Sequence, residues 1–181
     1  MDCPLECPYL REAHKHERVP EPDPEQLPNK DVEITDRFLE ENSVLFAFLC
    51  RALVTIALGS SNINDADVRE ALDAMARTYR TLETGLVYET RPANLLAAGI
   101  QQKLTGELDS LRQQLRERAG METLRDADIL GVLIVLQRVE FAHNNGRPRG
   151  RAFLDFLRQE FPDAGASGAI AEGPSGLILP A

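Results

Sequence analysis

The sequence predicts an all-α protein, a bundle of four to five helices. Two long, nearly all-apolar stretches lie at residues 44–58 and 129–143, and apolar residues recur every three or four positions between them. In the first stretch only Arg51 and Thr55 interrupt the apolar run, and a helix that is apolar on all sides must be covered by other elements. The stretch is shorter than the ~20 residues that cross a bilayer, so it is predicted to be the core helix of a soluble bundle.

The first long helix is predicted to begin at Thr35 or Asp36, both good N-caps, and to end at Leu58. The second begins near Asn64 and ends at Gly85, since glycine readily adopts the left-handed conformation that stops a helix. The apolar positions of this second helix follow the helical period: Val68, Ala71, Leu72, Met75, Ala76, Tyr79 and Leu82.

Three more helices follow. The third opens at Pro92 and carries a leucine-rich seam to Gly120. The fourth begins at Asp126 or Asp128; its β-branched residues make a buried strand the alternative for its first half, but the acidic caps favour a helix. A fifth, short helix stops before Pro162.

An internal repeat appears when the chain is shifted by 61 residues. Eight of the 35 aligned positions from Arg51 to Gly85 are then identical, including the triplets at 65–67 and 126–128, whereas chance gives about 2. The pattern predicts two repeated antiparallel helical hairpins with pseudo-two-fold symmetry. The alternative is that unrelated hairpins share acidic N-caps and glycine C-caps, and in either case the aspartates are expected to cap helices.

The two ends of the chain differ from the middle in composition. Residues 1–33 hold 6 of the 11 prolines, which predicts an acidic, largely disordered leader. Residues 34–162 form the predicted bundle, and residues 163–181 a mobile, glycine-rich tail. The tail ends in an apolar run, Leu177 to Pro180, that could dock in a groove of this or another chain.

Charge and cysteine content narrow the function classes. The net charge is −9, with no basic stripe, which argues against nucleic-acid binding. The N-terminus lacks the cationic and apolar regions of a secretion signal, and no segment is long enough to span a membrane, so a cytoplasmic protein is expected. Three cysteines, with Cys50 inside the core helix, fit a reducing compartment.

Four residues near the N-terminus are candidate metal ligands: Cys3, Cys7, His14 and His16. Thiolate and imidazole are the ligands that zinc prefers, and four of them close a tetrahedral site. The spacing departs from standard zinc fingers, so pairing of the two cysteines and a terminus without metal are the alternatives. A second motif, Glu140 with His143, matches half of a bundle di-iron site, but the repeat partners Tyr79 and Leu82 supply no matching ligands.

Arg147, Arg149 and Arg151 cluster where the last helix opens, beside two glycines. Arginines at a helix N-terminus predict an anion site or a partner contact. The alternative is a solvated loop, since no phosphate-loop spacing is present.

The clearest features of this sequence are apolar residues placed to pack helices together, not residues placed for catalysis. Two nearly all-apolar helices exceed what one small bundle covers, which predicts a homodimer or a protein-partner interface. The sequence therefore favours a non-enzymatic interaction or regulatory module, and the alternative is a metal-binding protein that uses zinc or iron at the N-terminal cluster.

Overall fold

The computed structural model describes residues 27–120 and 124–165, and all of its regular elements are helical, which confirms the predicted fold class. A 3₁₀ turn at Pro162–Gly165 ends the described chain. The helices are α1 Asp36–Glu41, α2 Ser43–Leu58, α3 Asp65–Glu83, α4 Leu95–Ala119, α5 Asp126–His143 and α6 Ala152–Glu160.

The first predicted helix is divided in two at Asn42. Its start is as expected, because Thr35 Oγ1 accepts a hydrogen bond from the Phe38 N–H. The helix then breaks because the Asn42 side chain donates to the Phe38 carbonyl and the Ser43 hydroxyl donates to the Glu40 carbonyl. Such side chains offer the backbone alternatives to helical hydrogen bonds, and Asn42 leaves the helical conformation, with φ of −107° and ψ of 12°.

Two pairs of helices that are consecutive in the described chain are not neighbours in the bundle. α3 packs against α4 and α5, while α2 packs against α4, α5 and α6. Between α2 and α3, and between α4 and α5, no Cα atoms of these described helices lie within 8 Å. The two helices of each predicted hairpin are therefore diagonal in the bundle, and each packs against helices of the other hairpin.

The connector between α3 and α4, residues 84–94, makes this order possible. It runs back along α3, where the Thr90 N–H donates to Thr78 Oγ1 and Asn94 Nδ2 donates to Asp67 Oδ1. Consequently α4 starts beside the start of α3 and runs parallel to it. Further along, the Arg112 guanidinium lies 5.9 Å from the ring centre of Tyr79.

The N-terminus of α6 is capped by a residue from another helix. The buried Asp65 carboxylate accepts hydrogen bonds from the backbone N–H groups of Phe153 (3.1 Å) and Leu154 (3.2 Å). A carboxylate at a helix N-terminus satisfies free N–H groups and complements the helix dipole. Burial raises the pKa of Asp65, and these hydrogen bonds oppose that rise. Asp65 thus holds α6 against one end of the bundle.

The core lies between α2, α3, α4 and α5, and α6 adds the buried Phe153 and Leu157. Cys50 of α2 is fully buried there, and burial raises the pKa of its thiol to about 12. Among the described helices, none combines the length and the apolar character needed to cross a membrane.

Candidate functional site

An apolar groove runs between α1 and α5 and is the first candidate site. It has two halves of about 290 Å³ and 340 Å³, and Leu39 and Val135 line both. Apart from Arg138, Asn42, Ser43 and His143, its lining is apolar. The apolar lining residues are Ile34, Phe38, Leu39, Phe46, Val132, Val135, Val139 and Ala142.

The floor of the groove is one face of α5. Val132, Val135, Val139 and Ala142 recur at spacings of three, four and three residues, which places them on one side of a helix. Val132 is 1% exposed and belongs to the core, whereas Val135, Val139 and Ala142 are half-buried.

A glycine sets the position of α1 on this groove. The Phe38 ring lies over Gly131, where an added Cβ would come within 2.3 Å of the Phe38 Cζ atom. Only glycine leaves room for the ring at that distance. The close approach of Phe38 to α5 forms one wall of the groove.

The segment before α1 is held to α5 by polar contacts. Arg138 donates to the backbone carbonyls of Pro28 (3.3 Å), Asn29 (2.8 Å) and Val32 (2.7 Å). Asn29 has a left-handed backbone conformation, with φ of 50°, that asparagine tolerates better than most residues. Residues 27–33, the end of the predicted leader, therefore belong to the packed structure.

A polar cleft of about 430 Å³ lies between α3 and α5 and is the second candidate site. At ~100° per residue, the α5 positions that line it point away from those that form the groove floor. The cleft is lined by Pro28, Asn29, Arg69, Asp73, Ala76, Arg77, Arg80, Gln137, Glu140 and Phe141.

The centre of the cleft is an ion pair between Arg69 and Glu140. Arg69 Nε and Nη2 donate to the two carboxylate oxygens of Glu140 at 2.9 Å and 2.7 Å. The Glu140 side chain is 2% exposed, whereas that of Arg69 is 47% exposed. Burial raises the pKa of Glu140, and the hydrogen bonds from Arg69 oppose the rise. The same contact raises the pKa of Arg69, which stays protonated.

A second, separate set of hydrogen bonds crosses the cleft beside this pair. Gln137 Nε2 donates to Asp73 Oδ1 (2.6 Å), and Asn29 Nδ2 donates to Gln137 Oε1 (2.7 Å). Arg80 Nη2 in turn donates to Asn29 Oδ1 (2.8 Å), and its Nη1 lies 3.3 Å from an Asp31 carboxylate oxygen. The network ties residues 29–31 to α3 and α5.

The three arginines predicted to form an anion site have different surroundings. Arg151 Nη1 donates to the Ser61 carbonyl at 3.1 Å and its Nη2 reaches the Ala57 carbonyl at 3.5 Å, so this side chain stabilises the C-terminal end of α2. The Phe153 and Leu154 N–H groups already bind Asp65. Arg147 and Arg149 are exposed, and an anion or partner contact at those two residues stays a prediction.

The predicted metal ligands fall into two groups. Cys3, Cys7, His14 and His16 lie outside the described residues, so zinc binding by this cluster stays a prediction. In the part of the chain that the structure describes, no three His, Cys, Asp or Glu side chains are grouped to hold a metal ion. Glu140 binds Arg69, and the His143 ring stacks on Phe156 with centres 3.7 Å apart.

Sequence reasoning did not identify the cleft. Arg69, Asp73, Arg77 and Arg80 follow one another at spacings of four, four and three residues, a pattern that is also typical of the solvated face of a helix. The available signal was Gln137 and Glu140, two polar residues that follow a long apolar run in the same helix. Buried polar groups need partners, so these two residues indicated that a charged helix face packs against this one.

The chain was compared with protein-family models, curated proteins and solved structures. No protein-family model, curated protein or solved structure matches this chain.

Proposed function

We propose that this protein is a helical interaction module that acts by binding, and that it self-associates through the groove between α1 and α5. The observation that carries the proposal is the mostly apolar lining of the groove's two adjoining halves, in which Leu39 is 40% exposed. Apolar surface that is exposed in a groove of this kind often marks a site of protein–protein interaction.

The spacing on α5 supports a second copy of the chain as the partner. In a symmetric dimer the same surface lies on both sides of the interface, so it must be complementary to itself. A stripe of small apolar residues at three- and four-residue spacing fulfils this condition, because the same seam packs two helices in a coiled coil. Val135 lies at the centre of the stripe and lines both halves of the groove.

The test is sedimentation of the full chain and of a Val135→Glu variant over a range of concentrations. We expect the wild-type chain to form dimers and the variant to stay monomeric, because a carboxylate in the interface loses its hydration without gaining a partner. Val135 is half-buried, so circular dichroism checks that the variant keeps its helices.

Val87→Glu is the matched control. Val87 is 93% exposed on the connector at residues 84–94, outside the groove, and takes the same change in size and charge. Dimerisation that persists in Val87→Glu and disappears in Val135→Glu supports the proposal. A wild-type chain that is monomeric at every concentration, or an association lost only in Val87→Glu, contradicts it.

A further inference from the structure

The cleft between α3 and α5 contains more hydrogen-bond donors than acceptors, so some of its donors have no acceptor within the cleft. Three arginines of α3 line it, Arg69, Arg77 and Arg80, against two acids, Asp73 and Glu140. The three arginines lie on one face of α3, because spacings of eight and three residues bring side chains back to the same side of a helix.

The acceptors of the cleft are largely occupied. Both carboxylate oxygens of Glu140 accept from Arg69, and Asp73 Oδ1 accepts from Gln137. The side-chain oxygens of Gln137 and Asn29 accept from Asn29 and Arg80 in turn. A cation that entered the cleft would find only one carboxylate oxygen, Asp73 Oδ2, without a described hydrogen bond.

The donors are only partly occupied. A guanidinium carries five N–H bonds, and Arg69 uses one on Nε and one on Nη2 for Glu140, which leaves both N–H bonds of Nη1 and the second one of Nη2. Within residues 27–120 and 124–165, Arg77 forms no hydrogen bond and no ion pair. Its side chain is exposed and lines the cleft, so its whole set of donors is open to a ligand.

We infer that the cleft binds a small phosphate-bearing molecule, held by Arg77 together with the free donors of Arg69. A phosphate offers several acceptor oxygens and a negative charge, which match paired guanidinium groups. The volume of about 430 Å³ is that of a small-molecule site. The inference does not depend on self-association, since the groove lies on the opposite side of α5.

Carboxylates of the chain itself are the competing source of negative charge. Glu21, Asp23 and Glu25 precede Pro28, which lines the cleft. Any carboxylate that reached the cleft would compete with a phosphate for the arginine donors. A variant with all three acids neutralised, Glu21→Gln, Asp23→Asn and Glu25→Gln, separates the two sources.

The experiment is calorimetric titration of the full chain with inorganic phosphate and with pyrophosphate at low ionic strength, where charge interactions are least screened. We expect saturable binding to one site. Arg77→Met should weaken it about 10-fold or more, because it removes a charge-assisted pair. Arg77 has no described partner in the fold, so its replacement leaves the bundle intact.

Arg51→Met is the matched control, since Arg51 is an exposed arginine on α2, outside the cleft. It should leave the affinity within about two-fold of the wild type, as expected for a distant surface charge. Binding that appears or tightens when the three leader acids are neutralised also supports the site and identifies the leader as a competitor. Absence of binding in both the wild-type chain and that variant overturns the inference, as does an equal loss in Arg77→Met and Arg51→Met.

Discussion

On one side of α5, Val132, Val135 and Val139 face a groove in which they have no polar partner, whereas on the other side Gln137 and Glu140 are held by hydrogen bonds from Asn29 and Arg69. The polar side fixes the alignment of α3 and α5. Glu140 pairs with Arg69 and Gln137 with Asp73, so the pairs follow one another in opposite chain directions. A shift of either helix by one turn would break both pairs.

On the apolar side, the directional contacts are those of Arg138 with the carbonyls of Pro28, Asn29 and Val32, and the valines and Ala142 make apolar contacts. Apolar contacts are nearly independent of direction, so the groove is able to accept a partner without a unique set of hydrogen bonds. One helix thus combines a side with hydrogen-bonded partners on α3 and a side whose lining is mostly apolar. The difference predicts that changes on the polar side affect folding, while changes on the apolar side affect association.

The largest effect is expected from Arg69→Met. It leaves the buried Glu140 carboxylate without its partner, and the loss in the free energy of unfolding should be about 3 kcal/mol. This is the lower end of the range for a buried ion pair, because Arg69 is 47% exposed and solvent screens part of the interaction. Urea denaturation measures the change.

Two variants control this prediction. Arg69→Met with Glu140→Met should recover most of the loss, since apolar side chains of similar volume leave no unpaired charge. Arg77→Met removes an arginine from the same face of α3 and should change the free energy of unfolding by less than about 0.5 kcal/mol. Equal losses in the free energy of unfolding in Arg69→Met and Arg77→Met would show that the ion pair between Arg69 and Glu140 does not stabilise the contact between α3 and α5.

A smaller effect is expected from pH. Burial raises the folded-state pKa of Glu140 above its ordinary value of 4.5, so the unfolded chain releases this proton at lower pH than the folded chain does. The contribution of Glu140 to stability is therefore complete below 4.5 and is lost as the pH rises through the folded-state pKa. Relative to Glu140→Gln, the wild-type chain should lose stability with rising pH. A constant or increasing difference in the free energy of unfolding would contradict this.

The smallest effect on global stability is expected from Gly131→Ala. Alanine favours the helix by up to ~1 kcal/mol, but its Cβ displaces the Phe38 ring, so the two contributions largely cancel. Amide hydrogen exchange in α1 should nevertheless accelerate, because Phe38 no longer packs on α5. Gly99→Ala is the control, since no atom lies within 4 Å of an added Cβ there. Unchanged exchange in α1 after Gly131→Ala would show that the glycine does not position α1.

The sequence was sufficient to predict the helices because their signals are local. Asn64 caps α3, as predicted, with its side chain accepting from the Ala66 and Asp67 N–H groups. Gly120 ends α4 in the left-handed conformation, with φ of 67°. Caps and glycine stops act within one helical turn, so residue type and spacing reveal them.

The sequence did not predict the contacts between distant segments. The repeat suggested that Asp65 caps its own helix, but its carboxylate binds the N-terminus of α6, 88 and 89 residues further on. Asp126, its repeat partner, instead forms an ion pair with Arg112. Equivalent positions in the repeat therefore have different partners, because the tertiary surroundings of the two helix starts differ. The groove and the cleft also depend on such surroundings.

The diagonal placement of chain neighbours has a consequence for how the bundle folds. In an up-and-down bundle, each helix finds its partner by closing a short loop, and folding is fast. Here α3 must meet α5 across 64 to 71 residues of chain, and no Cα atom of α2 lies within 8 Å of one in α3, the next helix in the described part of the chain. A fragment that ends at Gly85 would have two helices without their partners. The chain should therefore fold more slowly than an up-and-down bundle of its size, and only after α5 has been synthesised.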